Sequence, residues 1–177
     1  ANNWANFPPM SEKYQKHLGD YLGKAEAFLH TRKLADKAIL YLVDEPWDGR
    51  YDMFAGIFSF VKSKSPTLKT MLTEEPLHGG LLKVVDIWCS SYVTQPICKR
   101  NILEHGASAF TYWNTTFATD KPAVRPRMVG WASDSNDIKG HLFWGICCWG
   151  KGNPFTVPSL YIRDNVMQEW SAGNGWL

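Results

Sequence analysis

Long apolar runs are scarce in this 177-residue chain. None approaches the roughly 20 residues that a membrane-spanning helix needs, so no membrane partner is expected. Clustered positive charge is also missing. The formal net charge is only +2 and no basic run or stripe occurs, which argues against nucleic acid as a partner. Cysteine is sparse: Cys89, Cys98, Cys147 and Cys148 form no CxxC pair and no Cys/His metal spacing, so no metal site and no cofactor are expected. Cys147 and Cys148 are neighbours in an apolar run and read as buried thiols, whereas Cys89 and Cys98 stand where a bridge across a strand–helix loop is conceivable. No leader segment is visible, which leaves open a mature or trimmed form. The sequon Asn114-Thr115-Thr116 matches a glycan acceptor but does not decide the compartment. A secreted or extracytoplasmic location is favoured.

Apolar residues are plentiful, at 45 %, so the chain has the means to build a core and does not read as disordered. Aromatic residues reach 14 %, nine of them Trp. A Trp-rich core is the plain explanation. The functional one is sugar binding, because flat apolar sugar faces stack on indole rings.

Periodicity divides the chain into alternating elements. Ser11 is a candidate N-cap for a helix carrying Tyr14, Leu18, Tyr21, Leu22, Ala25 and Leu29. The continuous apolar run Ala38–Val43 has the pattern of a parallel strand buried on both faces, and it stops at Asp44-Glu45-Pro46-Trp47. A helix is expected from about Arg50 to Lys62, then a strand over Lys69–Thr73 ending at Glu74-Glu75-Pro76. A Gly79-Gly80 turn leads to a strand over Val84–Cys89, and a helix around Gln95–His105 is capped by Gly106. Further strands are expected over Ala109–Trp113 and His141–Trp149, with helices near Arg127–Ser133 and Ser159–Trp170.

Strands alternating with helices imply βα units and a parallel sheet. Polar and aromatic residues gather at the C-terminal ends of these strands, where a (β/α)8 barrel builds its site. A full barrel takes about 250 residues. The expectation is therefore an α/β fold: a single domain over 1–177 made of about five βα units, the C-terminal part of an incomplete barrel. Its N-terminal half would be missing, with a second chain or a missing segment completing the barrel.

Glycosidic bonds are commonly broken by two carboxyl groups, one kept protonated by burial and neighbouring charge. Asp44 and Glu45 follow six apolar residues and precede Pro46-Trp47. Adjacent strand residues point to opposite faces, so the two can share a site only where the strand ends and the chain turns, as Pro46 requires. The plainer reading makes either of them an acidic cap of the next helix. Glu74-Glu75-Pro76 imitates the first motif and competes with it.

Several motifs follow in order: Tyr41-Leu42-Val43-Asp44-Glu45-Pro46, Pro66-Thr67-Leu68-Lys69, Val85-Asp86-Ile87-Trp88, Tyr112-Trp113-Asn114, Arg125-Pro126-Arg127-Met128-Val129-Gly130-Trp131, Gly140-His141-Leu142-Phe143-Trp144-Gly145, then Asn153-Pro154 and Gly173-Asn174-Gly175. In these residues the sequence resembles family 123 glycoside hydrolases, the retaining β-N-acetylgalactosaminidases, and their relatives, from about Tyr41 onward; the first forty residues match only in being helical. The resemblance implies substrate-assisted retention on a glycan or glycoside. The sugar's 2-acetamido oxygen attacks the anomeric carbon, Asp44 orients the acetamido group, and Glu45 is acid and then base.

Weaker roles attach to other residues. Tyr112 would hydrogen-bond the acetamido oxygen, and Trp47, Trp88, Trp113, Trp144 and Trp149 would wall the sugar subsite, with barrel packing as the alternative for the tryptophans. Asp86 would bind sugar hydroxyls or serve only as a strand-end turn residue. Arg125 and Arg127 are expected to pair with acidic residues. A non-catalytic carbohydrate-binding protein on a degenerate barrel is the competing function, and a structural component of a larger assembly is a third.

Overall fold

The computed structural model describes residues 7–46, 49–113 and 122–143. The helix expected over Ser159–Trp170 lies outside the described residues. Elements alternate through α1 (Glu12–Thr31), β1 (Ile39–Asp44), α2 (Tyr51–Lys64), β2 (Lys69–Thr73), α3 (Gly79–Leu82), β3 (Ile87–Ser90), α4 (Pro96–Glu104), β4 (Ser108–Thr111), α5 (Val124–Ser135) and β5 (Ile138–His141). The strands form one five-stranded parallel sheet in chain order, as expected for a run of βα units from a (β/α)8 barrel. Contacts group the chain into two compact units, residues 1–109 and 110–177.

In the first unit, the Ser11 hydroxyl accepts the Tyr14 N–H at 3.3 Å and so caps α1. Tyr14, Leu18 and Leu22 form the buried stripe of that helix. The Glu26 carboxylate accepts the Thr67 backbone N–H at 3.1 Å, tying α1 to the loop that feeds β2. Helix α2 buries Phe54, Ile57, Phe58 and Val61, the four residues its periodicity selects. Each contributes roughly 1.5–3 kcal/mol by leaving water.

β1 pairs with β2, and β2 with β3, both parallel. The registers Tyr41↔Met71↔Ile87 and Leu72↔Trp88 define two faces, because side chains alternate along each strand. β1 was expected to be buried on both faces and is not: Ile39 and Tyr41 are each 42 % exposed. Among the described residues it stands at the end of the strand order, with β2 as its one neighbour. Its apolar run alternates between exposed Ile39 and Tyr41 and half-buried Leu40 and Leu42, so one face is the more covered.

The third strand also differs from expectation. The Gly79-Gly80 turn opens the short helix α3, and Val84 and Val85 close it, their N–H groups bonding back to the Leu81 carbonyl at 3.0 Å. The strand starts only at Ile87, so Asp86 precedes β3 rather than ending it. Its carboxylate accepts the Thr70 N–H at 2.7 Å and the Thr70 hydroxyl at 3.0 Å, and it pairs with Lys62 Nζ. Asp86 thus clamps β2, β3 and α2 at the N-terminal end of the sheet.

Helix α4 begins with Pro96 at its first turn, where the missing N–H is harmless. It ends at Gly106, whose φ of +66° suits glycine. The Gly106 N–H bonds to the Leu103 carbonyl and the Ala107 N–H to the Ile102 carbonyl, the paired bonds of a Schellman cap. Cys89 and Cys98 are both buried and are not joined in a disulfide.

In the second unit, α5 is longer than its expected core of Arg127–Ser133. β5 comes earlier than the expected His141–Trp149, and residues 144–149 lie outside the described residues. The turn at Asp137, with φ of +58°, delivers the chain into β5 with Ile138 buried. Gly140 is required here: a Cβ at this position would fall 2.5 Å from the Phe110 ring. No helix among the described residues is long and apolar enough to cross a membrane.

Asp86→Ala should lower the unfolding free energy by about 1–3 kcal/mol, because it removes the carboxylate that accepts the Thr70 N–H and pairs with Lys62, while the Thr70 hydroxyl keeps the Val84 carbonyl. Denaturant unfolding checks this. Unchanged stability combined with lost sugar affinity would instead support the sugar-binding role expected for Asp86.

Candidate active site

The apolar β1 ends at Asp44, and the chain reverses at Glu45, which holds a φ of +38°. A non-glycine residue in this left-handed region is uncommon and costs about 1–3 kcal/mol, so the surroundings must fix it. Pro46, buried, stops the strand from continuing. The turn lets two adjacent carboxylates diverge from a single strand end.

Thr73, the last residue of β2 and 2 % exposed, fixes this turn. Its hydroxyl accepts the Glu45 backbone N–H at 3.0 Å and donates to Asp44 Oδ1 at 3.0 Å. The Tyr41 hydroxyl also donates to Asp44 Oδ1 and lies 2.9 Å from the Thr73 hydroxyl. Both donors converge on one carboxylate oxygen, which sets the plane of the Asp44 carboxyl. Neither Tyr41 nor Thr73 was singled out in the sequence. The signal was there in outline: Tyr41 opens the motif that ends at Asp44-Glu45-Pro46, and Thr73 stands before Glu74 as Asp44 stands before Glu45.

The second acidic motif lies directly beside the first, since β2 pairs with β1 through Asp44↔Thr73. The Glu75 N–H donates to Glu74 Oε1 at 2.9 Å, and Asn101 from α4 donates to the Pro76 carbonyl at 2.7 Å, bracing the loop. Glu74 is pushed up to about 7, mainly by burial. Its hydrogen bond with the Glu75 side chain and the charges of Glu75 and Glu45 raise it further, against the Glu75 N–H, which lowers it. Burial and then the Glu75 charge likewise raise the Cys98 thiol. The two acidic motifs, read as competitors in the sequence, form one cluster.

The remaining expected residues are distributed as follows. Trp88 is fully buried, on the sheet face opposite Tyr41 and Met71, and its indole N–H has no partner among the described residues. That is a core position. Asp86 lies at the other end of the sheet. In the second unit, Tyr112 and Trp113 follow the end of β4 and are half-buried. Trp113 lines a cavity of about 300 Å³ with Val124, Arg125, Met128, Val129 and Ala132. Trp47, Trp144 and Trp149 lie outside the described residues.

The profile of the glycoside hydrolase 123 catalytic domain matches residues 1–176. The chain belongs to this family. As a family 123 domain it is a glycoside hydrolase with a glycan substrate class, and the match includes the first forty residues, which the short motifs did not reach. A comparison with curated proteins finds no match. For a family 123 domain, a carboxylate cluster at the C-terminal end of parallel strands is in the place where barrel enzymes carry their chemistry.

Two outcomes are expected. Thr73→Val should lower kcat/KM about tenfold, because it removes one of the two donors to Asp44 Oδ1 and the acceptor of the Glu45 N–H; steady-state kinetics read this against an unchanged fold by circular dichroism. Glu74 should show its own pH signature. The folded protein holds this proton more tightly than the unfolded chain, whose carboxyl keeps its ordinary value of 4.5. The resulting stabilisation is full below that value and is lost as pH rises through about 7. Urea unfolding across this window should therefore show wild type losing stability relative to Glu74→Gln. Parallel curves for the two proteins would contradict the shift.

Proposed function

We propose that this family 123 domain cleaves a β-linked 2-acetamido glycoside with retention, by substrate assistance. The observation that carries the reading is the held pair Asp44–Glu45 at the C-terminal end of β1. An ordinary retaining pair, proton donor and protein nucleophile, faces one anomeric carbon from two sides, whereas Asp44 and Glu45 leave a single strand end. They suit a scheme in which the substrate brings its own nucleophile.

In the first step the acetamido oxygen bonds to the anomeric carbon as the glycosidic C–O bond breaks. Glu45 gives its proton to the departing oxygen, and the acetamido group becomes an oxazolinium. In the second step Glu45 takes a proton from water, the water oxygen bonds to the anomeric carbon, and the oxazolinium ring opens. Asp44 faces the acetamido nitrogen. Tyr41 and Thr73 both occupy Oδ1, which leaves Oδ2 to accept the acetamido N–H as positive charge develops. Tyr112, Trp113 and the tryptophans at 47, 144 and 149 are proposed as sugar contacts. The domain is proposed as part of a barrel whose further strands cover β1.

A second reading gives Glu74 the role of proton donor. Its carboxyl, raised to about 7, holds a proton where an ordinary glutamate has lost it.

Leaving-group dependence separates the two. A proton donor matters most for poor leaving groups, so Glu45→Gln should abolish turnover of an alkyl 2-acetamido glycoside and spare the first step on an activated aryl glycoside. Asp44→Asn should depress both substrates by about 10²–10³-fold. If Glu74→Gln rather than Glu45→Gln shows the leaving-group dependence, the second reading holds. A covalent glycosyl-enzyme trapped on any carboxylate would end the substrate-assisted scheme. Binding without turnover of any glycoside would leave a carbohydrate-binding protein on a degenerate barrel.

A further inference from the structure

Between the segments that follow β1 and β2 lies a cleft of about 370 Å³. It is lined by Gly49, Tyr51 and Asp52 from the first loop and helix and by Leu77, His78 and Gly79 from the second, with Gly80 and Leu81 at its base. Its volume falls within the roughly 300–1,000 Å³ of small-molecule sites. Both walls continue the acidic motifs: Gly49 follows Glu45 by four residues and Leu77 follows Glu75 by two. The cleft therefore opens at the C-terminal end of the sheet, the end that carries the acidic motifs.

We infer that this cleft is a second carbohydrate subsite, which takes the neutral sugar on the leaving-group side of the scissile bond. The inference rests on the proposed role of Asp44 and Glu45 for its place in the reaction, though not for its chemistry. Tyr51 from the first loop and helix and His78 from the second stack on each other with ring centroids 3.4 Å apart and 17° between planes, a half-buried aromatic pair that pins the two sides together. Leu77 beside them is 49 % exposed, an apolar side chain with no core of its own. These surfaces match the C–H face of a pyranose. Asp52, exposed in the first turn of α2, accepts hydrogen bonds only, and the His78 imidazole donates or accepts, so hydroxyls are the groups they recognise together. No Lys or Arg is among the described residues that line the cleft. A phosphate or carboxylate ligand would face the Asp52 charge with no cation to hold it, which makes a neutral polyol the fitting class.

The walls are held at a fixed separation. A Cβ at Gly80 would meet the Ala55 Cβ at 3.3 Å, so α3 rides against α2 at the base of the cleft. At Gly79, by contrast, a Cβ would meet nothing within 4 Å. A large side chain at 79 would enter the cleft without disturbing the core.

Calorimetric titration of the full chain with methyl β-galactoside and methyl β-glucoside tests the subsite, with inorganic phosphate as the contrasting probe. Wild type should bind at least one glycoside and not phosphate. Gly79→Phe should abolish that binding without moving the thermal unfolding midpoint, and Tyr51→Ala and Asp52→Ala should each weaken it about tenfold. Asp44→Asn should leave it intact, since the cleft does not use that carboxylate. With a 2-acetamido disaccharide, Gly79→Phe should raise KM more than it lowers kcat. Failure of wild type to bind either glycoside, or binding undiminished in a folded Gly79→Phe protein, overturns the subsite. Absence of any hydrolysis with glycoside binding and its Gly79→Phe loss intact overturns the catalytic reading of Asp44 and Glu45 and leaves the cleft standing as a sugar site.

Discussion

The hydroxyl of Thr73 is the point on which the proposed chemistry turns. It reaches from the end of β2 to the end of β1 and contacts an acidic side chain, the backbone N–H of the next residue and a tyrosine hydroxyl. Those contacts hold Glu45 in a backbone conformation that it would not choose alone. They also spend the donors of Tyr41 and Thr73 on one Asp44 oxygen, leaving the other to be used. Parallel pairing makes this possible. Strands running the same way bring both chain reversals, and both acidic motifs, to the same end of the sheet.

Crowding carboxylates has an electrostatic consequence. Burial, above all, raises the Glu74 carboxyl, and its hydrogen bond with the Glu75 side chain and the charges of Glu75 and Glu45 add to that. Glu74 is then a neutral neighbour to Glu45 below about pH 7 and an anionic one above it.

What the sequence revealed depended on whether the signal was local. The stop of β1 at Asp44-Glu45-Pro46, the buried faces of α1 and α2, and the Gly106 cap are all written within a few residues, and each was legible. Partnership across strands was not: nothing near Thr73 announces that it braces a turn 28 residues earlier. The run Ala38–Val43 read as doubly buried because hydrophobicity reports a tendency to be covered, not whether a neighbour exists on both sides. Asp86 and Trp88 went astray through register. Moving the start of the strand from Val84 to Ile87 carries Asp86 from the C-terminal end to the N-terminal one, and pairing with Leu72 puts Trp88 into the core.

The two ends of the sheet end up built on opposite principles. At the N-terminal end, Asp86 finds Thr70 and Lys62 within reach, so its charge is satisfied by fixed donors and cross-links three elements. At the C-terminal end, like charges are gathered, one residue is held in the left-handed region and one carboxyl is kept protonated. The first arrangement lowers the energy of the fold and the second raises it. A sheet can hold an unfavourable cluster in place because other interactions over-determine the backbone beneath it, and the clamp at Asp86 is one of them. The strained end is where binding energy from a sugar has something to relieve, which is why the chemistry is assigned there and not at the well-paired carboxylate the sequence had also offered.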